Sequence, residues 1–138
     1  MRKYAMAAAV FTLAAGSVIL AVPAVSADGP AVVRKTLQTA DGPGNTVVNL
    51  MEVTIPPGGN EGRHFHSGPL VLRVLSGELT LDYEGKPTKT YKPGDTFMVE
   101  TGKQHEGHNR GTVPMVAIAA FATPKDAPIT TQVQSNGK

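Results

Sequence analysis

The 138-residue chain contains no cysteine. That excludes disulfides, thiolate metal sites and a cysteine nucleophile, and with them a lipoprotein anchor, which needs an acylated cysteine at the cleavage point. An exported chain without disulfides must rely on its hydrophobic core or on a bound metal. An excess of charge is lacking too. Of the 13 Lys and Arg residues, Arg2 and Lys3 stand at the extreme N-terminus, and the 11 that remain are matched by 11 Asp and Glu. No basic cluster is left to serve as a nucleic-acid footprint, so no nucleic-acid partner is expected. Also absent is any stretch beyond residue 28 that keeps a helical hydrophobic period for ten residues, and no internal repeat is present. The length suits a single domain.

The N-terminus reads as a signal. Arg2 and Lys3 are followed by an uncharged, Ala-rich apolar run over residues 5–22, then Pro23 and the small-residue triplet Val25-Ser26-Ala27. An uncleaved membrane anchor is the alternative, because the run is close to the length that spans a bilayer. Thr12, Gly16 and Ser17 inside the run, and the cleavage site directly after it, favour removal. Arg2-Lys3 is not a twin-arginine pair. The expectation is a signal peptide over residues 1–27, general secretory export, a periplasmic or secreted product and no stable membrane anchor after cleavage.

From residue 28 onward the chain reads as all-β. Apolar or alternating runs at residues 47–55, 70–75, 78–83, 88–91, 96–99 and 113–121 are separated by Pro56-Pro57-Gly58-Gly59, Ser76-Gly77, Gly85-Lys86-Pro87, Pro93-Gly94-Asp95 and Arg110-Gly111. Short strands with turn signals every eight to twelve residues predict a sandwich or barrel. The expected domain covers residues 28–122. From Thr123 onward the chain is rich in Pro, Thr and Gln, which predicts a flexible tail over residues 123–138 or one lying along the surface.

All four histidines fall between positions 64 and 108. On a strand, His64 and His66 project to the same face, where both imidazoles can converge on one ion. Two surface histidines on a strand edge would look the same. His105, on a separate strand, is what raises the signal, since neutral imidazole is a good ligand for first-row metals. Three protein ligands leave positions open for water or substrate, the mark of a reactive site.

At these residues the sequence resembles the cupin superfamily. Gly58, five residues, His64-Phe65-His66 and then Gly77 match the spacing of the first cupin motif. Gly94, five residues, Glu100-Thr101-Gly102, two residues, His105 and then Asn109 match the second. The resemblance implies a double-stranded β-helix, or jelly-roll, barrel. It also implies that His64, His66 and His105 hold one divalent transition metal: iron, copper, nickel, zinc or manganese. Two departures stand out. The glutamate that usually comes after the first motif's second histidine is replaced here by Leu70 and Val71, and a usual proline of the second motif by Glu100. Glu100 is expected at the rim as a solvated carboxylate rather than as a substitute ligand, and Glu61, before His64, is a weaker candidate still.

Three neutral imidazoles leave a divalent centre near +2, which favours an anionic or bidentate oxygen ligand. The site then resembles three-histidine cupin oxygenases, and the leading expectation is an oxygenase-type enzyme on a small, oxygen-rich substrate. A cupin that only binds metal or a small molecule, and a metal that only staples the barrel, are the alternatives. No catalytic side chain is assigned beyond the metal ligands. Leu70, Leu72 and Val74 should face inward as an apolar wall, beside Phe97 or Val99. His108 should lie on the face opposite His105, or beside the site. Asn109 should share the face of His105 and close its turn. Gln104 is expected at the surface or near a ligand, and Arg73 at a sheet or subunit contact, with an anion clamp as the lesser alternative. Exposed sheet edges favour a homodimer.

Overall fold

The computed structural model describes residues 29–134. The signal-peptide expectation for residues 1–27 lies outside them. Ten strands are present: β1 (Val33–Asp41), β2 (Thr46–Ile55), β3 (His64–His66), β4 (Leu70–Ser76), β5 (Leu79–Tyr83), β6 (Lys89–Tyr91), β7 (Thr96–Val99), β8 (His105–His108), β9 (Met115–Pro124) and β10 (Thr130–Gln132). They form two five-stranded antiparallel sheets, ordered β1-β2-β9-β4-β7 and β10-β3-β8-β5-β6. No helix occurs among the described residues. This is the all-β jelly roll that the sequence predicts.

The core lies between the sheets and results from period-two patterning. Along β9 the side chains alternate strictly between buried and half-buried. Met115, Ala117, Ala119 and Phe121 point inward, against Val53 and Ile55 of β2 and Leu70 and Val74 of β4. Leu79, Leu81 and Tyr83 of β5 supply the facing wall. Each fully buried aliphatic side chain contributes roughly 1.5–3 kcal/mol. Gly77 permits the β4–β5 turn for two reasons. Its φ is +67°, and a Cβ there would meet the carbonyl oxygen of Pro114 at 2.6 Å.

Three features depart from expectation. β1 is exposed at every position, so it carries no burial pattern to read. It is held by its ladder to β2, with an irregularity between Thr36 and Gln38. The barrel does not end at residue 122: β9 runs to Pro124 and Thr123 is buried. Within the expected tail, the flexible form is corrected at Thr130–Gln132, which lies along the barrel as β10 on the edge of β3, with Thr130 opposite His66 and Gln132 opposite His64. Val133 N–H extends this pairing by donating to the Arg63 carbonyl at 2.8 Å. The segment is polar because backbone hydrogen bonds, not buried side chains, hold it.

On the outer face of the first sheet, Val71, Leu75 and Met98 are exposed beside half-buried Leu50 and Ile118. Arg73 lies on this face with Leu50, Val71 and Ile118, away from the histidines.

Candidate metal centre

His64 and His66 project from the same face of β3, and His105 lies directly opposite His64 on β8. The three side chains are buried, at 1%, 3% and 3% exposure. Their ring centroids are 4.9 Å (His64–His66), 4.3 Å (His64–His105) and 4.9 Å (His66–His105) apart. One nitrogen from each lies within 4.8 Å of the others.

The backbone sets which nitrogen each ring presents. Nδ1 of His64 faces the Gly62 carbonyl at 2.7 Å, Nδ1 of His66 the Ile129 carbonyl at 3.0 Å, and Nδ1 of His105 the Lys103 carbonyl at 2.9 Å. A carbonyl oxygen only accepts, so each Nδ1 carries the proton and each Nε2 keeps its lone pair. Such outer hydrogen bonds fix the tautomer and orientation of metal-binding histidines. Burial lowers all three pKa values. His66 falls to about 3, through burial first and then its two histidine neighbours. His64 is lowered by burial and by Arg34, and His105 by burial and by His64, each partly offset by the backbone hydrogen bond. Three neutral imidazoles with converging lone pairs fit a first-row divalent ion.

The space beside the rings measures about 30 Å³, room for about one water. Leu70, Leu72, Leu79, Leu81, Phe97 and Phe121 form its apolar walls, and Phe121 meets the His66 ring edge-on at 5.0 Å. Leu70 and Leu72 stand where the alternation of β4 predicts. Val74 also faces inward as expected and is fully buried, but it is not among the residues that line the cavity.

The remaining candidates separate cleanly. Glu100 is at the rim, accepting a hydrogen bond from the Tyr83 hydroxyl, with Lys86 Nζ at 3.8 Å. That hydroxyl bond, helped by Lys86, lowers its pKa. It reaches the centre only through Tyr83, whose ring stacks on His105 at 6.2 Å. His108 faces outward, with its Nε2 3.3 Å from Asp82 and 3.6 Å from Glu106. Gln104 is half-buried and uses its backbone, donating to Glu84 at 3.1 Å and accepting from it at 2.9 Å. Asn109 is buried on the face of His105 and binds backbone: its Nδ2 donates to Ile55 and Val113 carbonyls, both at 2.8 Å, and its Oδ1 accepts from Gly111 N–H at 2.9 Å.

A family model described as Cupin domain matches residues 51–121. The chain belongs to the cupin family. Among curated proteins this cupin is similar to Germin-like protein 4-1 of Oryza sativa subsp. japonica, 32% identical over 116 residues. That match takes in 77% of the chain but 46% of the germin-like protein, so the cupin spans about half the length of this relative. Among solved structures it resembles an uncharacterized double-stranded β-helix protein from Klebsiella pneumoniae subsp. pneumoniae MGH 78578. There the TM-score is 0.58 and the identity 19%, over 78% of this chain and 89% of that one. It also resembles the DMSP lyase DddQ from Ruegeria pomeroyi DSS-3, with TM-score 0.65 and 20% identity over 78% of this chain and 54% of that one. With an oxalate oxidase the TM-score is 0.56 and the identity 23%, over 62% and 46%. These structural likenesses establish the fold.

Two residues of the cavity carry more than the sequence alone gives them. Glu61, ranked below Glu100 from sequence, lines the cavity with only 14% of its side chain exposed, and Arg34 of β1 meets it at 2.9 Å. Burial raises the Glu61 pKa against the lowering effect of Arg34. Nothing in the sequence pairs positions 27 residues apart across an unrecognised edge strand.

Proposed function

We propose that this cupin is an exported protein in which His64, His66 and His105 hold one divalent transition metal, iron, copper, nickel, zinc or manganese, for an oxygenase-type reaction on a small, oxygen-rich substrate. The observation that carries the reading is the convergence of three neutral, backbone-oriented Nε2 lone pairs in a cavity walled mostly by apolar side chains. A bound first-row ion would supply Lewis-acid polarisation of a substrate oxygen and, if redox-active, electron transfer. The chain's own residues orient and desolvate: three carbonyls fix the rings, while Leu70, Leu72 and Phe97 keep bulk water out. The names of two fold relatives, an oxalate oxidase and a DMSP lyase, support a small-molecule substrate. Export rests on the composition of residues 1–27, and intact-mass analysis of the secreted protein should find Asp28 as its first residue.

A second reading, a cupin that binds metal or a small ligand without turnover, is favoured by the size of the cavity, which at about 30 Å³ admits little more than water as it stands. Elemental analysis comes first, on protein purified without added metal or chelator, beside a His64→Ala/His105→Ala variant. The proposal expects about one equivalent of metal in the wild type and none in the variant. Absence of metal from the wild type after reloading would refute it. Dioxygen uptake by the loaded protein with small chelating acids then separates the two readings: consumption supports the enzyme, and tight binding without consumption supports the carrier.

A further inference from the structure

The inner face of β8 presents His105 and Gly107, and Asn109, directly after the strand, continues it; all three are buried. Gly107 has a neighbour that explains its lack of a side chain. A Cβ there would stand 2.5 Å from Glu61 Oε2 and 3.1 Å from Leu79 Cδ1. The Glu61 carboxylate therefore occupies, inside the barrel, the place a side chain two residues from His105 would fill. Its backbone is fastened to the same spot, Glu61 N–H donating to the Gly107 carbonyl at 3.0 Å. Gln132 Nε2 donates to the Glu61 carbonyl at 3.2 Å. Arg34 Nη2 takes Oε1 at 2.9 Å, and no hydrogen bond to Oε2 is found among the described residues.

Burying a carboxylate is costly unless something charged repays it, and Arg34 engages only one oxygen. A divalent ion on three neutral imidazoles would lack a compensating anion, and β4 offers none, since Leu70 is an apolar wall and Val71 points to solvent. Among the residues lining the cavity, Glu61 is the one carboxylate.

We propose that Glu61 is the counter-charge of the three-histidine centre, delivered from the loop before β3 over Gly107 and held there by Arg34. The inference rests on the metal reading above. Glu61 is a positioning residue in this role, acting on the ion's charge and on whatever shares the cavity with it.

The test uses the full mature protein, stripped of metal and titrated with zinc against a competing chelator, and with copper(II) for electron paramagnetic resonance. Glu61→Gln should weaken zinc binding about 10- to 100-fold, as loss of an outer partner typically does. It should also move the copper g∥ up and A∥ down, toward a more positive site. Gly107→Ala keeps the carboxylate but displaces it, and should shift both readouts the same way. Because it changes no charged group, it covers the case in which Glu61→Gln fails to fold. A purely structural Glu61 would lower the melting temperature of the metal-free protein and leave zinc affinity and the copper spectrum as in wild type. Unchanged affinity and spectrum in a folded variant would overturn the inference while leaving the three-histidine site intact. A wild type that binds no zinc or copper would overturn both.

Discussion

Acidification of the metal-free protein should unfold it through the same histidines that are proposed to bind metal. In the unfolded chain a histidine titrates near its ordinary 6.5, whereas burial holds His66 at about 3 in the fold and lowers His64 and His105 as well. Below pH 6.5 the unfolded state therefore binds protons that the folded state refuses, and stability falls with falling pH. The stability is fully present above pH 6.5 and is lost as pH drops toward each folded pKa. Each such group adds a slope of up to about 1.4 kcal/mol per pH unit between its unfolded and its folded pKa, so His64 and His105 steepen the loss that His66 begins. His66 alone accounts for roughly 4–5 kcal/mol between pH 6.5 and 3. Glu61 works in the opposite sense. Its raised pKa lets the folded state keep a proton that the unfolded chain has released, which removes up to one proton from the difference above pH 4.5. Against a domain's total of about 5–15 kcal/mol, the His66 contribution alone is a large fraction of the stability. Urea melts of metal-free protein from pH 7.5 to 4 measure the slope, and His66→Leu should flatten it by about 1.4 kcal/mol per pH unit. A wild-type midpoint that stays constant from pH 7 to 5, or a variant with the wild-type slope, would refute the reasoning.

Three further outcomes are expected. Asn109→Ala should strand the Ile55 and Val113 carbonyls and lower stability by about 1–3 kcal/mol for each group left without a partner, measured by urea midpoint at constant m-value. Glu100→Gln should leave metal stoichiometry and zinc affinity at wild-type values, because Glu100 is exposed and meets the centre only through Tyr83; a tenfold loss would show that the rim carboxylate reaches the ion. If the chain forms a homodimer across the exposed apolar face of the first sheet, Val71→Glu/Met98→Glu should sediment as a monomer where the wild type sediments as a dimer; a wild type that is already monomeric would remove that partner.

The features legible in the sequence were those that repeat at a short, fixed interval. The alternation in β9 and the inward Leu70 and Leu72 come from period two, and His64 with His66 from the same rule. His105 was legible because the turn glycines around it keep the family's spacing. β1 escaped because all nine of its positions are exposed, and β10 because Thr-Thr-Gln is held by ladder hydrogen bonds without a buried apolar face. Val74 shows the limit of the period: it gives the face of a strand but not how far along the barrel axis the cavity extends. Glu61 and Arg34 escaped for a different reason. Their pairing depends on β1 lying against β2 and on the empty place above Gly107, and both are consequences of tertiary packing.

The burial that makes the fold acid-sensitive is also what prepares the centre for metal. A ring that stays neutral in the folded state offers its Nε2 lone pair without first shedding a proton, so metal and protons compete for the same three atoms. Keeping the rings neutral requires apolar walls, and those walls leave the ion's charge uncompensated within the cavity. A carboxylate on β4 at Leu70 would restore the balance at the expense of the wall that Leu70 forms with Leu72 and Phe97. Bringing Glu61 in from the loop, over a glycine on the neighbouring strand, keeps the wall apolar and still places one negative charge in the cavity. On this reasoning the chain has not lost an acid so much as moved it, and the side chain to watch when metal is added or removed is the one paired with Arg34.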